Sequence, residues 1–241
     1  MISRYSRQIM LSEIGENGQR RLSAAKVAVV GAGGLGSPAL YYLASAGVGH
    51  IKIIDSDVVD FTNLSRQCIH FEDDIGRKKS QSAKDKLERY NRDIYICATT
   101  VAIRDENVRE CLEGYHIVLS CADNRKARYL LNSACVHGNI PLIDGGIRGF
   151  EGYVLTVLPG VTPCYQCTFP PKGQDEMTGG IGVLGAAAGV LGSMMATEAI
   201  KHIVGIPVHS HFYFVDLLSN RIAPIQAKKA PDCPVCSMNR K

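Results

Sequence analysis

Lys26–Asp57, KVAVVGAGGLGSPALYYLASAGVGHIKIIDSD, decides the fold. It opens with an apolar strand, Val27–Val30, and turns through Gly31-Ala32-Gly33-Gly34-Leu35-Gly36. A helix follows over Ser37–Ala46, with Pro38 suited to its first turn. A second strand, Ile51–Ile54, ends at Asp55. This is a βαβ unit carrying G-x-G-x-x-G at its first turn. Gly31 and Gly33 permit a tight turn and close approach to a phosphate, and Gly36 lets the helix pack near the strand. The helix N-terminus offers free N–H groups and partial positive charge to an anion. Asp55 falls about 20 residues after the loop, where a carboxylate can accept hydrogen bonds from ribose hydroxyls. The stretch predicts a bound nucleotide, as against a glycine-rich turn without a ligand, and leaves its identity open.

Outward from this unit, residues 1–25 form a helical arm broken at Gly15 and Gly18, outside the nucleotide fold. Residues 26–150 form the nucleotide-binding core. After the second strand come a polar loop at 61–69, a lysine-studded amphipathic helix over 76–90 and a third strand at 94–101. A short helix over 106–112 leads to a fourth strand at 116–121, apolar enough for the middle of a parallel sheet. A helix over 125–137 and a fifth strand at 141–144 complete the core. Beyond residue 150 the rhythm changes. Gly152–Leu158 alternates like an antiparallel strand, and 163–167 is a cysteine knuckle. The segment 170–182, rich in Pro, Gly and charge, reads as a mobile loop. A long helix over 185–204 and a hairpin of 212–217 with 222–227 precede a cysteine-bearing tail. The fold expected is α/β: a single Rossmann-like domain, 1–241, with a mostly parallel sheet, an antiparallel C-terminal extension and a zinc site.

The chain of 241 residues is 46% hydrophobic and 21% charged, ordinary for a globular domain. A net charge of +4 suits an anionic ligand, and no Lys/Arg block or aromatic platform points to nucleic acid. Met1–Gln8 is polar and basic, which predicts a cytoplasmic protein without a leader. Ile181–Thr197 lacks charge but is short and mostly Gly and Ala, so a buried helix is expected rather than a membrane span.

Four of the nine cysteines are paired by spacing, Cys164-x-x-Cys167 and Cys233-x-x-Cys236. Two such pairs predict a closed tetrahedral, structural zinc site stapling the tail to the core. The scattered Cys68, Cys97, Cys111, Cys121 and Cys135 read as small buried hydrophobes.

Charged residues gather after strand ends, where open α/β sheets bind ligands. Asp55 and Asp57 close the second strand, with Asn63 and Arg66 in the loop beyond. Lys79 belongs to the next helix, and Asp123 and Asn124 follow the fourth strand. Arg66 and Lys79 can neutralise phosphates, and Asp123 can hold magnesium against a triphosphate. The competing reading makes them a solvated basic face and a helix cap. There is no G-x-x-x-x-G-K-[ST], which excludes a P-loop ATPase. None of the ten tyrosines has a lysine four residues on, which removes the Tyr/Lys pair of short-chain dehydrogenases.

Arg4-Tyr5-Ser6-Arg7-Gln8-Ile9, GAGGLG, Asp55-Ser56-Asp57, Asn63-Leu64-Ser65-Arg66-Gln67, Lys79, Cys121-Ala122-Asp123-Asn124 and the two cysteine pairs together resemble the ThiF/MoeB family, bacterial relatives of ubiquitin-activating enzymes. The resemblance spans nearly the whole chain in order. It implies an ATP-dependent adenylyltransferase that joins the C-terminal carboxylate of a small ubiquitin-like sulfur carrier, ending in Gly-Gly, to AMP. It implies the Gly34 backbone, Asn63, Arg66 and Lys79 at the phosphates, Asp55 at the ribose and Asp123 at magnesium. It also implies a homodimer in which Arg7 reaches the partner's site. Many family members carry a cysteine shortly before the Gly-Val that leads into the long helix. Here Met177 and Thr178 stand there, so the sequence predicts no covalent step on this protein and a separate sulfur donor. Activation of another carboxylate or of a tRNA base, a non-catalytic nucleotide-binding module and an oxidoreductase are the competing readings.

Overall fold

The computed structural model describes residues 4–171, 182–208 and 211–237. The chain begins with the one-turn helix α1 (Ser6–Ile9) and α2 (Gly15–Ala24). The core follows as β1 (Lys26–Val30), α3 (Gly36–Ser45), β2 (His50–Ile54), α4 (Lys79–Tyr90), β3 (Tyr95–Thr99), α5 (Val108–Leu112), β4 (Ile117–Ser120), α6 (Arg125–His137) and β5 (Leu142–Arg148). The remainder is β6 (Glu151–Val157), α7 (Tyr165–Thr168), α8 (Gly185–Val204), β7 (Phe212–Asp216) and β8 (Arg221–Pro224).

One eight-stranded sheet runs in the order β3-β2-β1-β4-β5-β6-β7-β8. Strands β1 to β5 are parallel, and β5 to β8 pair antiparallel. Side chains alternate across the pleat. Val27 and Val29 face a core with α3, α4 and α8, while Ala28 and Val30 face a second core with α5, α6 and the cysteine knuckle. Burial on both faces explains the unbroken apolar run of β1. From β1 the chain moves to one side for β2 and β3, and then to the other for β4 and β5. The order reverses between β1 and β4, so a crevice opens beyond their C-terminal ends. No described helix is long and apolar enough to cross a membrane.

Several boundaries differ from the sequence expectation. Strand β5 runs to Arg148, past the apolar residues that predicted it, because β6 pairs with it from Leu142↔Val157 to Arg148↔Glu151. Helix α4 starts at Lys79 rather than at Gly76, whose φ of 83° is left-handed. The arm breaks before α2 at Gly15, with φ of 55°, but Gly18 lies inside α2. A Cβ there would stand 3.3 Å from Val204, so Gly18 marks packing on α8 and not a break. The arm is docked on its own chain. Gln8 Nε2 donates to the Ala46 carbonyl at 2.8 Å, Asn91 Nδ2 to the Tyr5 hydroxyl at 2.9 Å, and Arg21 Nη1 to the Val204 carbonyl at 2.7 Å. Most of the expected loop at 170–182, with Met177 and Thr178, lies outside the described residues.

Candidate nucleotide site and cysteine cluster

The glycine loop joins β1 to α3 at the crevice. Gly31 has φ of 97°, and a Cβ on it would stand 2.6 Å from the Cys121 carbonyl oxygen at the end of β4. A Cβ on Gly36 would stand 1.9 Å from the Gly31 carbonyl oxygen. The protein itself therefore requires these two glycines. Gly33 and Gly34 differ: a Cβ there would meet nothing closer than 3.6 Å and 3.4 Å respectively. Packing leaves room at both, which is where a ligand's close approach would need a bare backbone. The Gly33 carbonyl accepts from the Ser37 amide and hydroxyl, at 2.9 and 2.7 Å. Among the described residues the amides of Gly33 and Gly34 have no acceptor. Free amides at a helix N-terminus form an anion site.

Asp55, at the end of β2, braces this loop. Its Oδ2 accepts from the Ala32 amide at 2.7 Å and its Oδ1 from the Asp57 amide at 2.8 Å. Burial pushes its carboxyl above the usual range, against those two amides, which favour the ionised form. Lys79 opens α4 and is buried. Its Nζ reaches Asp57 Oδ2 at 3.0 Å, and its amide donates to the Asp57 carbonyl. Arg66 lies beside Gly34, with its Nη1 donating to the Thr62 carbonyl at 3.0 Å. Asn63 is half-buried and accepts from the Asp60 amide at 3.3 Å, so part of it is committed to capping the 3-10 turn at Phe61–Asn63.

Asp123 follows β4, exposed, next to the segment that Gly31 contacts. Its Oδ1 accepts from Asn124 Nδ2 at 3.3 Å. One exposed carboxylate at the crevice matches a magnesium ion, which takes one or two protein carboxylates and completes its shell with phosphate and water. Asn124 is the N-cap of α6, accepting from the Ala127 amide at 2.9 Å. The structure thus gathers Gly31, Gly33, Gly34, Gly36, Asp55, Asp57, Arg66 and Lys79 at one crevice, with Asp123 at its β4 side. Arg7 is not gathered with them. Exposed on α1, it is held near Ala46 and so at the end of α3 remote from the loop, about 15 Å along that helix.

Sequence reading missed two buried polar groups here. His70 sits under the loop, with Nε2 at 2.9 Å from the Ala32 carbonyl and Nδ1 at 2.9 Å from Ser82 Oγ. Arg128, Asp144 and Tyr153 form a network behind Asp123: Arg128 donates to Asp144 Oδ2 at 2.8 Å and to the Ala122 carbonyl, and Tyr153 donates to Asp144 at 2.8 Å. No spacing links these residues in the chain. Their one signal was an aspartate, Asp144, closing an apolar strand.

Across the sheet, Cys164, Cys167, Cys233 and Cys236 converge, with all four sulfurs within 4.8 Å of one another. The contacts Cys164–Cys167, Cys164–Cys233 and Cys167–Cys236 measure 3.8, 3.6 and 3.4 Å. A tetrahedron of sulfurs about 2.3 Å from a central zinc has edges of about 3.8 Å, so the cluster fits a zinc site. The Ala230 amide points at Cys167 Sγ, 3.4 Å away, and would steady a thiolate there.

The fold and crevice define a nucleotide-binding α/β domain of the Rossmann type. The chain belongs to the ThiF family, whose model matches residues 5–235. It is 40% identical to a SAMP-activating enzyme E1 of Haloferax volcanii over 240 residues, covering 98% of this chain and 88% of that protein. It is 38% identical to a sulfur carrier protein adenylyltransferase of Thermus thermophilus, covering 98% and 90%. It is 44% identical to the adenylyltransferase and sulfurtransferase MOCS3 of Culex quinquefasciatus, and spans 56% of that relative's length. Among solved structures, E. coli MccB with ATP superposes with a TM-score of 0.86 at 25% identity, covering 97% of this chain and 74% of MccB.

Proposed function

We propose that this protein is an ATP-dependent adenylyltransferase that joins the C-terminal carboxylate of a small ubiquitin-like sulfur carrier to AMP, releasing pyrophosphate. The observation that carries this reading is the pair of amides, Gly33 and Gly34, without an acceptor among the described residues, with Lys79, Arg66 and Asp123 around the same crevice. The relatives named for adenylyl transfer and for a sulfur carrier, and the MccB structure with ATP, supply the substrate classes.

Two anions must meet for a carboxylate to attack an α-phosphate, and the charge that develops must be neutralised. No base is required, because the attacking carboxylate is ionised at neutral pH. The loop amides and Lys79 would hold the triphosphate, Arg66 would neutralise it from the side of Gly34, and Asp55 would accept from the ribose hydroxyls through its remaining lone pairs. Asp123 would hold a magnesium ion, which would supply further charge neutralisation at the phosphates. Zinc at the four cysteines would be structural. Arg7, too far to serve its own crevice, would serve that of a second copy in a homodimer. The setting would be the cytoplasm, with sulfur arriving from a separate donor.

ATP–pyrophosphate exchange tests the reading. The expected result is exchange that needs magnesium and a carrier with an intact Gly-Gly terminus. Exchange driven as well by a free peptide, or tighter binding of NAD than of ATP, would overturn the carrier or the nucleotide assignment respectively.

A further inference from the structure

His70 is 3% exposed and has both ring nitrogens engaged beneath the glycine loop. A carbonyl oxygen only accepts, so Nε2 carries the proton toward Ala32 and Nδ1 accepts from the Ser82 hydroxyl. Burial pushes the ring down to about 4, which keeps it neutral and in that tautomer at neutral pH. Lys86 adds to the arrangement, donating to Ser82 Oγ at 2.9 Å.

The effect passes to the ligand side through the peptide plane. In a trans peptide the carbonyl of one residue and the amide of the next point opposite ways. The described chain has no cis peptide bond. Drawing the Ala32 carbonyl down to His70 therefore turns the Gly33 amide outward. Asp55 fixes the plane before by accepting the Ala32 amide, and Ser37 fixes the plane after by donating to the Gly33 carbonyl. Among the described residues, His70 alone bonds to the plane between Ala32 and Gly33. Ser82 belongs to α4, whose first residue is Lys79, so one helix carries both the phosphate lysine and the support of the histidine.

We propose that His70 is a positioning residue for phosphate recognition: by holding the Ala32 carbonyl it aims the Gly33 amide at a phosphate oxygen of the nucleotide. The inference rests on the ATP reading of the crevice. His70 touches no substrate, so its contribution falls on the phosphates and not on adenosine.

The test is calorimetric titration of the wild type, His70→Leu, His70→Gln and Ser82→Ala with ATP and, separately, with adenosine, beside thermal melts. Leucine fills space and donates nothing, whereas glutamine can place an N–H near the position of Nε2. His70→Leu should weaken ATP about tenfold, the scale of one hydrogen bond to a charged group, with adenosine changed less than about twofold. His70→Gln should regain most of the ATP affinity, and Ser82→Ala should weaken ATP by a smaller factor. Equal losses for ATP and adenosine, or a lowered melting temperature with unchanged ATP affinity, would overturn the role. Should His70→Leu not fold, His70→Gln losing ATP and adenosine alike would do the same. A wild type that binds ATP but exchanges no pyrophosphate with any carrier would remove the adenylation reading and leave the binding result standing.

Discussion

Arg128 Nη1 lies 2.8 Å from Asp144 Oδ2, with both side chains buried between α6 and β5. The guanidinium also donates to the Ala122 and Gly145 carbonyls, and the Tyr153 hydroxyl donates to Asp144. One group of side chains thus ties the segment after β4 to the interiors of β5 and β6, behind Asp123. A buried pair of this kind adds little over an apolar substitute, but breaking it leaves an uncompensated charge. Asp144→Asn should cost about 3–5 kcal/mol of unfolding free energy. Tyr153→Phe, which removes the hydrogen bond donated to Asp144 and the one accepted from Arg128, should cost about 1–3 kcal/mol. Urea unfolding measures both. Equal small effects would mean that Arg128 finds other partners.

The cysteine cluster predicts one zinc per chain, retained through purification without chelators. Because the four sulfurs close the coordination sphere, Cys233→Ser should lower thermal stability more than it lowers ATP affinity. Metal analysis that finds no zinc would remove the site. A melting temperature unchanged by the substitution would remove its structural role.

Acid should unfold the protein partly through His70. The unfolded chain takes up that proton near pH 6.5 and the folded chain only near 4. Stability is therefore complete above pH 6.5, falls as pH drops toward 4, and levels below it, a loss of roughly 3 kcal/mol. Asp74, paired with Lys86 and Arg77, has its carboxyl held below the usual range and adds its own loss at lower pH. Urea midpoints measured between pH 4 and 7 should flatten in His70→Gln. An equal slope in wild type and variant would assign the titration elsewhere.

The sequence made the glycine loop, the βαβ unit around it and the cysteine pairs legible, because each is written in local spacing. Gly31 and Gly36 answer to contacts within a few residues or to the neighbouring strand end, and C-x-x-C places two thiolates on one knuckle. His70 and Arg128 were opaque for the opposite reason. Their partners lie across turns of chain, Ala32 from His70 and Asp144 from Arg128, and a lone histidine or arginine carries no periodicity. Asn124 shows the intermediate case. Its position after β4 suited a ligand role, and the structure spends its oxygen on capping α6.

No cysteine stands in the segment 170–182. Cys111, Cys121 and Cys135 are buried as expected, which raises Cys111 and pushes the other two up to about 12; Cys68 and Cys97, expected to be buried, are exposed and half-buried, and partial desolvation still raises the Cys68 thiol. A protonated thiol is a weak nucleophile. Incubation with ATP and a carrier, without reductant, should therefore yield free carrier-adenylate and no covalent enzyme–carrier adduct by mass spectrometry. An adduct through any cysteine would overturn this.

Arg7 offers the sharpest test of assembly. In its own chain it is exposed on a helix pinned to the Ala46 end of α3, while the phosphate amides lie at the other end of that helix. The pinning involves Gln8, Tyr5 and Asn91, so the arm cannot serve its own crevice without giving up those bonds. A guanidinium is suited to phosphate, and in the proposed homodimer its target would be a second copy's crevice. Arg7→Ala and Asp123→Ala subunits should each be inactive alone in pyrophosphate exchange. Mixed, they form heterodimers in which one crevice lacks both residues and the other keeps both. Activity should return to about a quarter of the wild-type value if subunits exchange freely in equal amounts, since half the dimers are mixed and half their crevices intact. Heterodimers that form but remain inactive would assign Arg7 to a role within its own chain.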